Sequence, residues 1–447
     1  MNKDYKMKLS FNMILYFLVL ILKYFFKYPE IYFALYLTAG IYKADPRLGF
    51  LSNFLDLTIF FEILTLLGII FLVLKRKINV IPISIRILGV YILFISLGII
   101  GLLYTPAPGY GTDKILRFLF ITSPGFFISL ILFKNRETYK RFMSIFIILA
   151  IIMTLDIITG GLSPGQIGFG TALGSNYLAV GRISGIALLY SMSFLLLNRK
   201  FLSKMLFFLI LVIFIFNMFI SGGRGPLLAL GLSIFLISMY LLTQFKFKDK
   251  DLVIEKRKAK FFYLILNICF SSLIVILIFK SYFETIFFRL SLLERLSGES
   301  IEERLRLYET AIKSIDNAFN FIFGWGIGGF SALYKGHDEL RIYPHNIFLE
   351  IISELGFLGL FSFLIILIHS LSTAFNNLKI SKTEEDFFLS LSYISGLFFM
   401  LFNSSFSGDI NDNRLLFVFL GLVYSYRRIL RHGKNQNLSH NYSSFSF

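Results

Sequence analysis

Residues 344–371 read PHNIFLEIISELGFLGLFSFLIILIHSL. From Ile347 onward this run is apolar and long enough to cross a bilayer, which takes roughly 20 residues. A histidine and an asparagine stand at its mouth, and upstream lies the longest connection on its side of the chain, residues 282–344. A histidine at the top of a membrane helix, beside a water-exposed loop, is where a lipid-borne substrate can meet aqueous chemistry. The stretch therefore reads as part of a membrane-embedded enzyme or carrier.

Working outward, apolar runs of similar length occupy 53–74, 78–104, 115–133, 142–158, 177–197, 205–220, 227–244, 261–279, 387–401 and 415–426. Backbone polar groups in lipid must be satisfied internally, so helices are the form such runs take. Hydrophobic residues make up 56% of the 447-residue chain and charged residues 16%, a balance that excludes a water-soluble globule. With 31–42 as a further span, the expectation is an all-α polytopic membrane protein of about 12 transmembrane helices. Its N-terminal helices fill 1–281, an extracytoplasmic loop with amphipathic helices fills 282–344, C-terminal helices fill 345–430 and a cytoplasmic tail fills 431–447.

The net charge of +17 invites a nucleic-acid reading, but its distribution argues against one. Lys75-Arg76-Lys77, then Lys134, Arg136, Lys140 and Arg141, then Arg199, Lys200 and Lys204, then 246–260, then Arg427, Arg428, Arg431 and Lys434 fall on alternate connections. They share one side, the cytoplasm by the positive-inside tendency, with anionic membrane lipids as their partner. Both termini are expected inside. Residues 9–26 are either an interfacial helix or a further span; they lack a small-residue cleavage site and read as an uncleaved anchor. The single Cys269 rules out a disulfide within the chain. The Asn- and Ser-rich tail after Gly433 reads as disordered.

This topology leaves few outer residues for chemistry. Ser221-Gly222-Gly223-Arg224-Gly225 is a tight turn with one charge. Arg224 either snorkels to headgroups or serves as an anion clamp, making paired hydrogen bonds to phosphate oxygens. In the long connection, 300–318 has the pattern of an amphipathic helix with Ser300 and Glu303 as a capping box. Ile301, Leu305, Tyr308, Ala311, Ile312 and Ile315 form its expected apolar face, and Arg304 falls among them, opposite Arg306. A charge so placed needs a counter-charge, either a structural carboxylate or a bound anion. Gly324-Trp325-Gly326-Ile327-Gly328 superficially matches a nucleotide-binding glycine pattern, but no strand–helix–strand unit surrounds it; it reads as a turn returning the chain to the membrane.

Of the five histidines, His345 alone is expected at an outer helix start, since His337 sits beside Asp338 and Glu339 in the loop. The positive end of the helix dipole disfavours imidazolium there, leaving a neutral base suited to a sugar hydroxyl; the alternative is a simple helix cap. Glu350 and Glu354 follow on one face with Asn346, and could pair with Arg182 in another span or orient the site, with Asp156 a weaker member of the set. Metal chemistry is not expected, because Asp249-Lys250-Asp251 lies among cations and Asp409 and Asp412 bring no further ligands. No cofactor is implied.

Gly222-Gly223-Arg224-Gly225, Arg304-Leu305-Arg306-Leu307-Tyr308, Gly324-Trp325-Gly326-Ile327-Gly328, and Pro344-His345-Asn346-Ile347-Phe348-Leu349-Glu350 with Glu354-Leu355-Gly356-Phe357-Leu358-Gly359 together resemble the O-antigen ligase and O-antigen polymerase family. The resemblance is specific over 221–360 and topological elsewhere, although Lys43-Ala44-Asp45-Pro46 and Asp56-Leu57-Thr58 also look like the N-terminal part of such polymerases. It implies a GT-C-like fold and an inverting, metal-independent glycosyl transfer at the outer face of the bacterial cytoplasmic membrane. The donor it implies is a glycan on undecaprenyl diphosphate, the acceptor another glycan or a lipid, and other polysaccharide assembly proteins are possible neighbours. The family's turn arginine maps to Arg224, its loop arginine to Arg304 and its histidine to His345; Gly223 stands where many members carry serine. In this reading His345, Arg224 and Arg304 are catalytic, and Arg182, Lys114, Asn346, Glu350 and Arg341 contact substrate. Polymerase, ligase and protein-glycosylating transferase stay open, and a transporter or flippase of lipid-linked glycan is the rival from another class.

Overall fold

The computed structural model describes residues 26–52, 54–75, 84–160, 170–244, 246–248, 251–253, 256–278, 299–336 and 341–443. Each of the twelve apolar runs expected to span forms a helix there. These are α1 (Pro29–Tyr42), α2 (Leu57–Leu74), α3 (Ile85–Gly101), α4 (Pro108–Leu132), α5 (Arg136–Thr159), α6 (Tyr177–Leu197), α7 (Phe201–Ser221), α8 (Arg224–Thr243) and α9 (Lys256–Ile278). The long connection contributes α10 (Glu299–Lys313), α11 (Ala318–Phe323) and α12 (Gly329–Lys335). The chain then runs through α13 (Ile347–Ile380), α14 (Glu384–Phe406) and α15 (Arg414–Ser443). Eight of them, α2, α4 to α8, α13 and α14, are long and apolar enough to cross a membrane by themselves among the described residues, and α3 is a shorter apolar helix. The only β-structure among the described residues is a hairpin pairing Lys246–Lys248 with Asp251–Val253. The molecule is thus an all-helical, multi-pass membrane protein.

Burial separates centre from rim. α14 is the most enclosed, with 89% of its apolar window buried, and α6 follows at 72%; α8, at 28%, presents most of its surface outward, where lipid tails would cover it. α14 packs on α6, α8, α13 and α15, α4 on α15, and α13 on α3 and α15.

Ion pairs bring two of the basic connections, 134–141 and 256–260, to one end of the bundle. Arg136 and Lys140 at the start of α5 meet Asp386 at 2.6 Å and Glu385 at 2.5 Å at the start of α14, while Arg141 reaches Glu30 on α1 at 2.5 Å. Lys260 on α9 holds Glu384 at 2.7 Å, and Arg257 donates to the Ser381 carbonyl at 2.9 Å.

Two spans are deliberately irregular. α4 passes through a π-turn at Phe118–Thr122, just before Pro124, whose ring cannot supply a backbone donor. α13 breaks at Gly356, whose φ of 65° and ψ of −165° no helix contains. The reason lies in the long connection: the chain around Gly324 presses into the break. A Cβ on Gly324 would stand 2.4 Å from the Glu354 carbonyl carbon, and one on Gly356 would stand 2.4 Å from the Ile322 oxygen. Trp325 N donates to Ser353 O at 2.9 Å, satisfying a carbonyl that the break releases. The glycine-rich segment is therefore a backbone wedge, and its indole donates to the Ser314 carbonyl at 2.8 Å.

Three local expectations are corrected. α10 begins at Glu299, so Ser300 lies inside the helix, and Glu303 accepts from Tyr334 at 2.7 Å and Arg306 at 2.8 Å instead of closing a capping box. The buried face of α10 runs through Leu307 and Ala311 toward Ser314 just past its end, while Leu305 and Ile312 are 49% and 62% exposed; the buried stripe is rotated by about one position from the expected one. The tail expected to be disordered continues α15 to Ser443, a helix propagated outward from the packed span, where added residues need no new nucleus. Residues 9–25 of the expected 9–26 segment, His337 and Asp249 lie outside the described residues.

Candidate functional site

The site assembles where α10 docks onto the start of α13. Leu307 and Ala311 of α10 pack with Phe330 of α12, and Tyr334, Ile342 and Leu349 close over them. This contact holds one edge of α10, carrying Arg304 and Tyr308, toward residues 345 and 346. The Tyr308 hydroxyl is within hydrogen-bonding reach of the Asn346 side chain, and Arg304 acts electrostatically on both Tyr308 and His345. Asn346 also caps α13, its side-chain oxygen accepting from Phe348 N at 3.0 Å and Leu349 N at 3.2 Å.

His345 is half-buried with a φ of 56°, a left-handed conformation that non-glycine residues seldom hold. Such strain costs on the order of 1–3 kcal/mol and persists where the surroundings over-determine it. The result is an imidazole stacked obliquely on Tyr343, with ring centroids 4.5 Å apart. Its Nδ1 is enclosed and has no hydrogen-bond partner among the described residues. Burial, then the charges of Arg304 and Arg182, push the His345 pKa down to about 4, against an opposing pull from Asp409. Desolvation and two guanidinium groups, and not only the helix dipole, thus favour the neutral imidazole.

Arg182 reaches this place from α6. Its guanidinium donates to the Ser407 carbonyl at 3.0 Å, and a Cβ on Gly408 (φ 82°) would stand 3.1 Å from it. The connection between α14 and α15 thus wraps the arginine and brings Asp409 and Asp412 beside it. Asp409 is buried and its carboxylate accepts from Asp412 N at 2.7 Å. Asp412 keeps an exposed side chain although protein crowds it, as a group lining a concave surface does; burial and the charge of Asp409 raise its pKa, while Arg182 and Arg117 oppose them. Burial and both aspartates likewise raise the Tyr343 hydroxyl. In sequence Asp409 and Asp412 read only as candidate metal ligands, and no motif points to Tyr343.

Arg224 opens α8 after the N-cap Gly223, which follows Gly222, the left-handed residue that ends α7. It is half-buried. The turn packs beside α6 one residue from Arg182: a Cβ on Gly181 would meet Pro226 Cγ at 3.0 Å and Ser221 Oγ at 3.1 Å. On its other side Gly225 faces Phe406, next to the Ser407 that Arg182 grips. Arg224, Arg182 and the 407–413 connection therefore occupy one end of the bundle.

Lys114 and Glu350 are placed differently from the substrate contacts expected of them. Lys114, on α4, is fully enclosed and lies 2.6 Å from Glu350 Oε1 and 2.8 Å from both Glu354 oxygens, so these carboxylates pair with Lys114 and not with Arg182. Glu350 also accepts from Ile410 N at 3.2 Å, and Asn411 donates to the Lys114 carbonyl at 3.1 Å while accepting from Thr122 in the π-turn at 2.8 Å. The triad ties α4 to the first turns of α13 and to the 407–413 connection. Arg341 is exposed and lies 3.4 Å from Asp113, and Asp156 is held by Arg47 at 2.6 Å. Asp56 caps α2 through Thr58 N at 2.7 Å.

Residues 209–364 match the family model described as O-antigen ligase, which supports membership of the O-antigen ligase and polymerase family. No curated protein matches the chain. The match runs from within α7 to within α13 and so contains Arg224, Arg304 and His345. It indicates, in general terms, a glycan-transferring enzyme with a lipid-linked glycan and an acceptor as partners.

Proposed function

We propose, from its match to the O-antigen ligase family model over residues 209–364, that this protein transfers or polymerises glycan repeat units from undecaprenyl diphosphate at the outer face of the bacterial cytoplasmic membrane. Arg304, Arg182 and Arg224 receive the diphosphate. His345 takes the proton of an acceptor hydroxyl as that oxygen attacks the anomeric carbon, and the bond from that carbon to the diphosphate breaks with inversion. The leaving group departs with both electrons of that bond, and the guanidinium groups stabilise the charge it gains. Those cations do the work for which a divalent ion would otherwise be recruited, so the transfer runs without metal.

The observation that carries this reading is a strained, neutral imidazole under the influence of two guanidinium groups. The same charges explain how the base is switched on. With the pocket empty they make His345 a weak base; a diphosphate neutralises them and raises its proton affinity when a proton must be accepted.

The buried Lys114–Glu350–Glu354 triad favours a second reading, since intramembrane charges mark transport paths. Purified protein in proteoliposomes with an undecaprenyl-diphosphate glycan separates the two. A transferase lengthens the glycan or moves it to the acceptor, with chelator making no difference; a transporter moves the lipid across the bilayer with the glycan unchanged.

A further inference from the structure

At the opposite end of the bundle, where the basic connections meet, a cavity of about 530 Å³ opens between the end of α6, the start of α7 and the start of α9. Its wall is apolar, made by Leu195, Leu197, Met205, Phe208, Tyr263 and Leu264. Its rim is cationic: Arg199, Lys204 and Lys260, with Glu384 the one carboxylate among the described lining residues. Lys260 is occupied by Glu384 at 2.7 Å. The side chains of Arg199 and Lys204 make no hydrogen bond or ion pair within the described residues, though Arg199 does act on Glu384 electrostatically. Beside the rim, Phe201 and Leu202 are 77% and 79% exposed, as side chains immersed in lipid would be.

We propose that this cavity is a binding site for an anionic glycerophospholipid of the cytoplasmic leaflet, with its phosphate between Arg199 and Lys204 and one acyl chain along the apolar wall. The geometry fits a lipid better than a free anion. A small anion would leave the apolar wall uncovered, whereas a zwitterionic lipid would bring a further cation to a rim where three cations face one carboxylate. Basic pockets between spans on the cytoplasmic side suit such headgroups. The site lies at the far end of the bundle from His345 and does not depend on the proposed chemistry there.

Full-length protein is placed in nanodiscs of phosphatidylcholine with increasing phosphatidylglycerol, released, and examined by native mass spectrometry for retained lipid. One phosphatidylglycerol is retained in preference to phosphatidylcholine. The double variant Arg199→Gln/Lys204→Gln loses that retention at least fivefold, whereas Lys379→Gln/Lys382→Gln, which removes two cations outside the cavity, keeps it. Glu384→Gln, which releases Lys260, strengthens it, an outcome that misfolding does not imitate. Equal loss in both double variants, absence of any preference, or displacement of the lipid by millimolar inorganic phosphate would overturn the proposal.

Discussion

Lys114 Nζ lies 2.6 Å from Glu350 Oε1, with no solvent exposure on the lysine side chain and 2% on the glutamate. Glu354 completes a triad that joins α4, α13 and the 407–413 connection. Removing one partner of a buried pair costs roughly 3–5 kcal/mol, because the charge left behind has no water to solvate it. Lys114→Ala should therefore lower the thermal midpoint in detergent sharply. Lys114→Met combined with Glu350→Gln and Glu354→Gln should recover most of the loss. A single variant that melts like the wild type would refute a structural role for the triad.

His345 makes two separable contributions, one chemical and one conformational. Both His345→Ala and His345→Gly should reduce transfer on the order of 100-fold or more, the usual scale for a lost general base. Glycine tolerates a φ of 56°, so His345→Gly should be the more stable of the two. Melting curves of the two proteins, set beside their transfer rates, test both halves.

The pH dependence has a definite sign. His345 has its pKa lowered to about 4, in part by Arg304. Arg304→Gln removes a positive charge, so the imidazolium becomes easier to form and the acid limb of kcat/KM, which reports the free enzyme, should move to higher pH. In the wild type, kcat should show an acid limb above that of kcat/KM, because bound diphosphate offsets the arginines. For folding, the depressed value means that the unfolded chain takes up the proton first as pH falls. This group's contribution to stability therefore declines between about 6.5 and about 4 and is constant below that.

The wedge between Gly324 and Gly356 allows no side chain on either backbone. A Cβ at either position would come within 2.4 Å of the other segment's backbone. Gly324→Ala and Gly356→Ala should each cut the yield of folded protein recovered from membranes, measured by size-exclusion profile in detergent.

Much of the fold was legible because bilayer-length apolar runs and alternating basic connections are local signals. The break at Gly356 was not, since Glu354-Leu355-Gly356-Phe357 reads as uninterrupted span until the wedge around Gly324 is seen against it. At the site, Arg304 was found by its place among apolar neighbours and His345 by its position at a helix mouth. Their electrostatic link depends on α10 docking through Leu307 and Ala311, which no spacing encodes. In sequence Lys114 reads as a substrate contact, because the two carboxylates that enclose it come from a helix more than 200 residues away. Asp412 and Tyr343 lacked any motif; Gly408, which lets the 407–413 connection fold back over Arg182, was the one local hint.

The most direct test of the central claim compares donor binding with donor turnover. With an undecaprenyl-diphosphate glycan in nanodiscs, Arg304→Gln and Arg224→Gln should weaken donor binding at least tenfold, while His345→Ala binds the donor with near-normal affinity and fails to transfer it. Full transfer by His345→Ala at normal protein level, or unchanged donor affinity in both arginine variants, would contradict the account.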